Sequence, residues 1–177
     1  MGNPVTGCTP VGAGCDHCHT MARLRRRLPG LRGPGSQDVL ATTVICHPER
    51  LAIPERVRAP SVWLVSMMGD VFHNDVPSDF IEAIHGVAED CPQHTFCWLT
   101  KRWDRAGDFL REWPQPRNVI VMGSVWDQSS CDEACDALKE CERWGLHYEP
   151  MLGPIYRLTV RPHWIVAGGE MREWSER

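Results

Sequence analysis

The chain has 177 residues, of which 42% are hydrophobic and 24% charged, with a net charge of -4. That length and composition suit one domain, residues 1–177, with a full core, and exclude global disorder. The acidic balance argues against gripping nucleic acid by bulk charge, leaving only a local basic stretch at Arg23, Arg25, Arg26, Arg27 and Arg32.

In chain order, residues 1–20 form a Gly- and Pro-rich loop carrying Cys8, Cys15 and Cys18. His19 to Leu28 reads as a basic helix stopped by Pro29-Gly30, and residues 29–37 read as a Gly/Pro loop. Val39 to Cys46 is β-branched and predicts a strand, followed by a turn or short helix at His47–Leu51. Val62–Met67 and Thr95–Thr100 are short apolar runs that predict buried strands; Asn118–Met122, Leu146–Glu149 and His163–Ala167 complete the set. Helical periodicity covers Asp79–Glu89, Asp104–Trp113 and Cys131–Trp144, the last stopped by Gly145. Apolar strands alternating with helices predict about six mainly parallel strands with helices outside.

No run of about 18 apolar residues spans a membrane, and no apolar leader opens the chain. A reducing, cytoplasmic compartment is expected, where nine cysteines read as ligands, redox groups or buried small residues rather than disulfides. The C-x6-C-x2-C triple sits on a loop containing Gly12 and Gly14. Three thiolates there would hold three irons of a four-iron cluster and leave the fourth open. A zinc site completed by His17 or His19 and a set of buried apolar cysteines are the competing readings. Cys15-Asp-His-Cys18-His19 also fits the haem-attachment pattern, which leaves Cys8 without a role. Cys131, Cys135 and Cys141 read as small residues on a packed helix face, with a second metal site as the alternative. Cys46, Cys91 and Cys97 read as core or strand-end residues.

Ligands of parallel α/β folds bind at the carboxyl ends of the strands. The predicted ends carry Asp70, Lys101, Arg102, Ser124, Asp127, Glu149 and Glu170, and Gly168-Gly169 offers a close backbone approach. Asp70 has a plainer reading as an Asx-type turn or cap.

Several stretches carry a resemblance. Asn3-Pro-Val-Thr-Gly-Cys8 and Gly14-Cys15-Asp-His-Cys18 open it. His47-Pro-Glu-Arg-Leu51, Asp70-Val-Phe-His73, Leu99-Thr-Lys-Arg102, Gly123-Ser124-Val125, Glu149-Pro150 and Gly168-Gly-Glu170 continue it in order. Together they resemble the phage-associated three-cysteine-motif proteins, a radical-SAM-like family. The resemblance implies a partial (β/α) barrel, a [4Fe-4S] cluster on Cys8, Cys15 and Cys18, and S-adenosylmethionine (SAM) at the open iron. It implies an acidic motif at Ser66-Met-Met-Gly69-Asp70 to hold the methionyl amine. On position alone, Lys101 and Arg102 are expected to meet an anionic substrate or the SAM carboxylate, and Ser124, Asp127 and Glu149 the ribose or adenine. Gly168, Gly169 and Glu170 complete the expected cofactor contacts. An electron donor such as ferredoxin or flavodoxin would start hydrogen abstraction from a substrate, for instance a nucleotide or nucleic-acid base. His19 stands where the family has an aromatic residue, and both ends are short against the family pattern. The barrel is therefore expected to lack a first strand and a closing element. The competing function is a non-catalytic zinc- or cluster-binding module that serves a partner protein.

Overall fold

The computed structural model describes residues 2–16, 18 and 43–168. The helix expected over residues 19–28, the loop over 29–37, the first half of the strand at 39–46, His17, Gly169 and Glu170 lie outside them. Seven strands are described: β1 (Val5–Thr6), β2 (Ile45–Cys46), β3 (Val62–Val65), β4 (Thr95–Thr100), β5 (Val119–Val125), β6 (Trp144–Tyr148) and β7 (Trp164–Ala167). The helices are α1 (Ser78–Asp90), α2 (Trp103–Glu112) and α3 (Gln128–Leu138). β3 to β7 make one parallel sheet in the order β3-β4-β5-β6-β7, which follows the chain with no reversal. β1 and β2 form a separate antiparallel pair. The five-stranded sheet with helices is the α/β architecture expected, whereas Ile45–Cys46, at the described end of the strand predicted over Val39–Cys46, pairs with Val5–Thr6 of the amino-terminal loop instead of joining the sheet. Among the described residues, no helix is long and apolar enough to cross a membrane.

Right-handed crossovers between successive neighbours place their helices on the same face of a sheet. Ladder register groups Phe96, Trp98, Val119, Val121, Gly123, Val125, Trp144 and Leu146 on the helix face, and all are buried. α1 turns Ile81, Ile84, His85 and Ala88 inward, and α3 turns Cys131, Ala134, Cys135 and Leu138 inward. Both sets follow the i, i+3, i+4, i+7 stripe. Cys131 and Cys135 thus serve as small core residues, as the packed-face reading expects. Gly107 of α2 lies against α3, where a Cβ would stand 2.4 Å from the Ala137 carbonyl oxygen.

Three local expectations are corrected. α3 starts at Gln128, not Cys131, because Asp127 and Ser130 form a reciprocal capping box. It ends at Leu138 because Trp144 and Gly145 are taken into β6, where they pair with Val121 and Met122. β3 is not a buried strand: Val65 is fully buried, but Val62 and Leu64 are 68% and 53% exposed. As an edge strand it has a partner on one side only among the described residues, and its opposite-face residues stay open. β7 at the other edge is more open still, with all four residues exposed.

Candidate functional site

The amino-terminal loop is fastened to the end of β3 by backbone. Met68 N donates to Asn3 Oδ1 at 2.8 Å, and Gly7 N donates to the Met68 carbonyl at 2.9 Å. Gly7 and Gly69 form an isolated parallel bridge. Gly7 has φ +84, and a Cβ there would stand 1.9 Å from the Thr43 carbonyl oxygen, so the position demands glycine. A Cβ on Gly69 would approach the Val5 carbonyl oxygen to 2.8 Å. These close approaches deliver Cys8 directly to the carboxyl end of the sheet.

There Cys8 meets Arg102, which follows β4. Arg102 Nη1 lies 3.3 Å from Cys8 Sγ and 3.4 Å from Asp70 Oδ2, and Nη2 donates to the Thr9 carbonyl and hydroxyl at 2.9 and 3.0 Å. Asp70 is 4% exposed and is surrounded by donors. Oδ1 accepts from Phe72 N at 2.9 Å, an Asx turn, and from the Thr100 hydroxyl at 2.8 Å; Oδ2 accepts from Lys101 N at 3.1 Å. His73 closes the circuit. Its Nδ1 accepts from Asp75 N at 3.1 Å, so Nε2 carries the proton and donates to Thr9 Oγ1 at 2.7 Å. Burial, then the Arg102 charge, hold His73 below its ordinary value against the opposing pull of Asp75 and Asp70. Burial raises the Cys8 thiol, and Arg102 offsets part of that rise.

The rest of the loop lies on an indole. A Cβ on Gly12 would come within 2.6 Å of Trp126 Cζ2, and one on Gly14 within 2.5 Å of Trp126 Cε3. Trp126 follows β5 directly, is 9% exposed, and packs against Trp103 at 5.7 Å between ring centroids. Over this platform the chain turns tightly: Cys15 N donates to the Gly12 carbonyl, and Cys18 N to the Cys15 carbonyl. Val11 N points at Cys15 Sγ, 3.4 Å away. Cys8, Cys15 and Cys18 are free and half-exposed. Among the described residues, no three His, Cys, Asp or Glu side chains stand close enough together to hold a metal ion. The donor chemistry nevertheless fits a thiophilic group: three free thiols on one short loop, a cation beside one sulfur and an amide beside another. The Gly12 and Gly14 contacts leave no room for larger residues between that loop and the sheet.

The other expected residues divide. Lys101 gives its amide to Asp70, and its ammonium has no ion pair among the described residues. Arg102 is spent on Cys8, Thr9 and Asp70 rather than left for an anion. Asp127 caps α3 and accepts from Ser130 N at 2.9 Å, an explanation that needs no nucleoside. Ser66 is buried in a left-handed conformation, φ 72, and its hydroxyl has no partner among the described residues. Ser124 is 2% exposed on β5 beside His147 of β6. Glu149 follows β6, close to Gly168 after β7. The amino-terminal loop thus brings Cys8, Asp70 and Arg102 together at β3 and β4, while Ser124, Glu149 and Gly168 sit along β5 to β7. Trp126 and His147 escaped the sequence reading. The close pair Gly12 and Gly14 was the signal that some flat surface must lie beneath the loop.

No curated protein matches the chain, and no solved structure does. The sequence family described as "Protein of unknown function (DUF5131)" matches residues 2–175. Because that match runs nearly the whole length, the chain belongs to the DUF5131 family.

Proposed function

We propose that the chain is an iron–sulfur protein of the radical SAM type, built on a partial (β/α) barrel, with Cys8, Cys15 and Cys18 as cluster ligands. The observation that carries the proposal is the placement of the thiol loop. It crosses the carboxyl ends of parallel strands, anchored by Gly7 and Gly69 at β3, by Arg102 at β4 and by Trp126 at β5. A sheet order that follows the chain favours the barrel-type arc over a doubly wound sheet, whose order reverses.

When bound, such a cluster supplies one electron for reductive cleavage of the SAM sulfonium bond, the electron coming from a ferredoxin- or flavodoxin-type donor. The chain's own residues do the positioning. Arg102 sets a positive charge against Cys8 Sγ and stabilises its thiolate form. Asp70 holds Arg102 in place, and His73 orients Thr9, which accepts from the same guanidinium. Trp126 excludes water beneath the loop. Ser66, Lys101, Ser124, Glu149 and Gly168 face the ligand side in this reading.

The test is anaerobic purification with iron and sulfide analysis, followed by a SAM-cleavage assay. About four irons and four sulfides per chain are expected, with loss of the broad visible absorption in the Cys8/Cys15/Cys18→Ala variant. Iron content unchanged in that variant rejects the ligand assignment. A second reading, a non-catalytic metal module serving a partner protein, is favoured by the Asp70 carboxylate, whose oxygens are already filled by protein donors. Stoichiometric zinc, or a cluster with no SAM binding, would select it.

A further inference from the structure

The helix face of the sheet carries a cavity away from the thiol loop. α3 packs over β5, where a Cβ on Gly123 would meet Leu138 and Ala134. β6 and β7 are joined without a helix, so an irregular segment lies beside α3 in its place. It leaves a cavity of about 410 Å³, walled by Leu146 and Tyr148 of β6, Ile165 of β7, and Tyr156, Arg157 and Leu158 of the segment. Leu146 and Ile165 stand in register across the ladder and form its floor. A cavity of that size and lining suits a small molecule.

The wall is held by polar groups that the cavity itself does not use. Gln128, the first residue of α3, gives its whole amide to it. Oε1 accepts from Tyr156 N at 2.8 Å and from Arg157 N at 3.2 Å, and Nε2 donates to the Arg157 carbonyl at 3.1 Å and to Asp132 Oδ1 at 2.9 Å. Nearer β6, Leu152 N and Gly153 N both donate to the Trp126 carbonyl at 3.0 Å, and the Tyr148 hydroxyl donates to the Gly153 carbonyl. On this fixed backbone Tyr156 stays 82% exposed, with Leu158 and Ile165 open beside it. Apolar side chains held out together, instead of folding into the core, mark a binding surface. The Arg157 guanidinium stands at the rim, 73% exposed, and its ion pair with Asp132 is 3.7 Å long, beyond hydrogen-bond reach. Asp132, tied to Gln128, orients the guanidinium, and the N–H fork remains able to take a carboxylate. An apolar cavity with one such fork selects a carboxylate carried on an apolar body.

We propose that this cavity is a binding site for a small organic carboxylate with an apolar body. The body lies on Leu146, Ile165 and the two tyrosine rings, and the Arg157 guanidinium receives the carboxylate. None of the lining residues belongs to the thiol loop or to the ligand side of the sheet, so the site stands or falls independently of iron.

The test uses the reduced full chain with 13C-labelled leucine and isoleucine methyl groups, the Leu146, Leu158 and Ile165 signals being assigned by conservative substitution. Phenylbutyrate is the probe. Phenylbutanol keeps the body without the charge, and acetate keeps the charge without the body. Phenylbutyrate is expected to shift the methyls of these three residues with a Kd of about 1 mM or tighter, the range for a ligand of roughly a dozen non-hydrogen atoms. The alcohol should bind roughly two- to fivefold more weakly, the size of one exposed ion pair, and acetate should leave these methyls unmoved. Arg157→Met should make phenylbutyrate no better a ligand than the alcohol. Leu158→Ser, at an exposed position, should weaken both by a similar factor with the far-ultraviolet circular dichroism retained. Equal affinity for acid and alcohol, shifts spread over apolar residues elsewhere, or no shift with phenylbutyrate overturns the proposal. A preference for the acid that survives Arg157→Met overturns it as well.

Discussion

Replacing Asp70 with Asn tests the contact network that holds the thiol loop. Asn keeps the shape and one acceptor oxygen, so the Phe72 amide and Thr100 hydroxyl keep a partner. Its NH2 group then faces the Lys101 amide and Arg102 Nη1, both donors, at positions 3.1 and 3.4 Å from the original oxygen. Arg102 and Asp70 side chains are 9% and 5% exposed, so water screens the pair little. Removing one member of a buried pair costs ~3–5 kcal/mol. Arg102 retains Cys8 Sγ and the two Thr9 acceptors, which places Asp70→Asn at the lower end, about 3 kcal/mol. For a chain of this size that corresponds to a fall in Tm of roughly 6–12 °C. Urea unfolding of the reduced full chain gives the value. Asp70→Asn, Arg102→Met and the double variant together isolate the pair, with a coupling above about 1 kcal/mol expected. A loss below about 1 kcal/mol, or additive single effects, would show that Asp70 does not hold Arg102.

Gly12→Ala and Gly14→Ala should each lift the loop from Trp126 and reduce bound iron severalfold, with the far-ultraviolet circular dichroism of the sheet and helices retained; full iron loading would refute the platform role. Gly107→Ala drives a methyl into the Ala137 carbonyl and should cost about 1–3 kcal/mol in urea unfolding without affecting iron. Cys8 alkylation by iodoacetamide, followed by mass spectrometry, should be slow at pH 8, rise with pH beyond the ordinary thiol range, and become slower still in Arg102→Met, since burial raises that thiol and Arg102 opposes the rise. His73 and His147 are both held below their ordinary value in the folded state. The unfolded chain therefore binds more protons as pH falls below ~6.5, and stability drops on acidification until the folded-state values are passed. His73→Gln should flatten the pH 7 to 5 slope of unfolding free energy, and an unchanged slope would show that His73 is not kept neutral by the fold.

The alternation of apolar runs with amphipathic segments was sufficient to place β4, whose bounds Thr95–Thr100 match the expectation, and to find α1 and α2 within about one residue at each end. Those elements are legible because their burial follows a local period: one side per two residues in a strand, and one stripe per turn in a helix. The cysteine spacing likewise set Cys8, Cys15 and Cys18 apart from ordinary core, and all three are free and half-exposed on their Gly-rich loop. What the sequence could not place depends on neighbours far along the chain. α3 yields Trp144 and Gly145 to β6 because the Val121 and Met122 edge claims them. β3 looks buried by composition, yet exposes one face as a sheet edge, and β7 at the other edge is exposed on both faces. Asp70 reads from sequence either as a charge awaiting a ligand or as an Asx-type turn, and the turn is present, with Phe72 N donating to Oδ1. Only the fold brings the Phe72, Thr100, Lys101 and Arg102 donors around it, from positions up to 32 residues away. That His147 Nδ1 has no partner among the described residues is equally invisible in one dimension, because whether a buried acceptor finds a donor is decided by every strand that packs beside it.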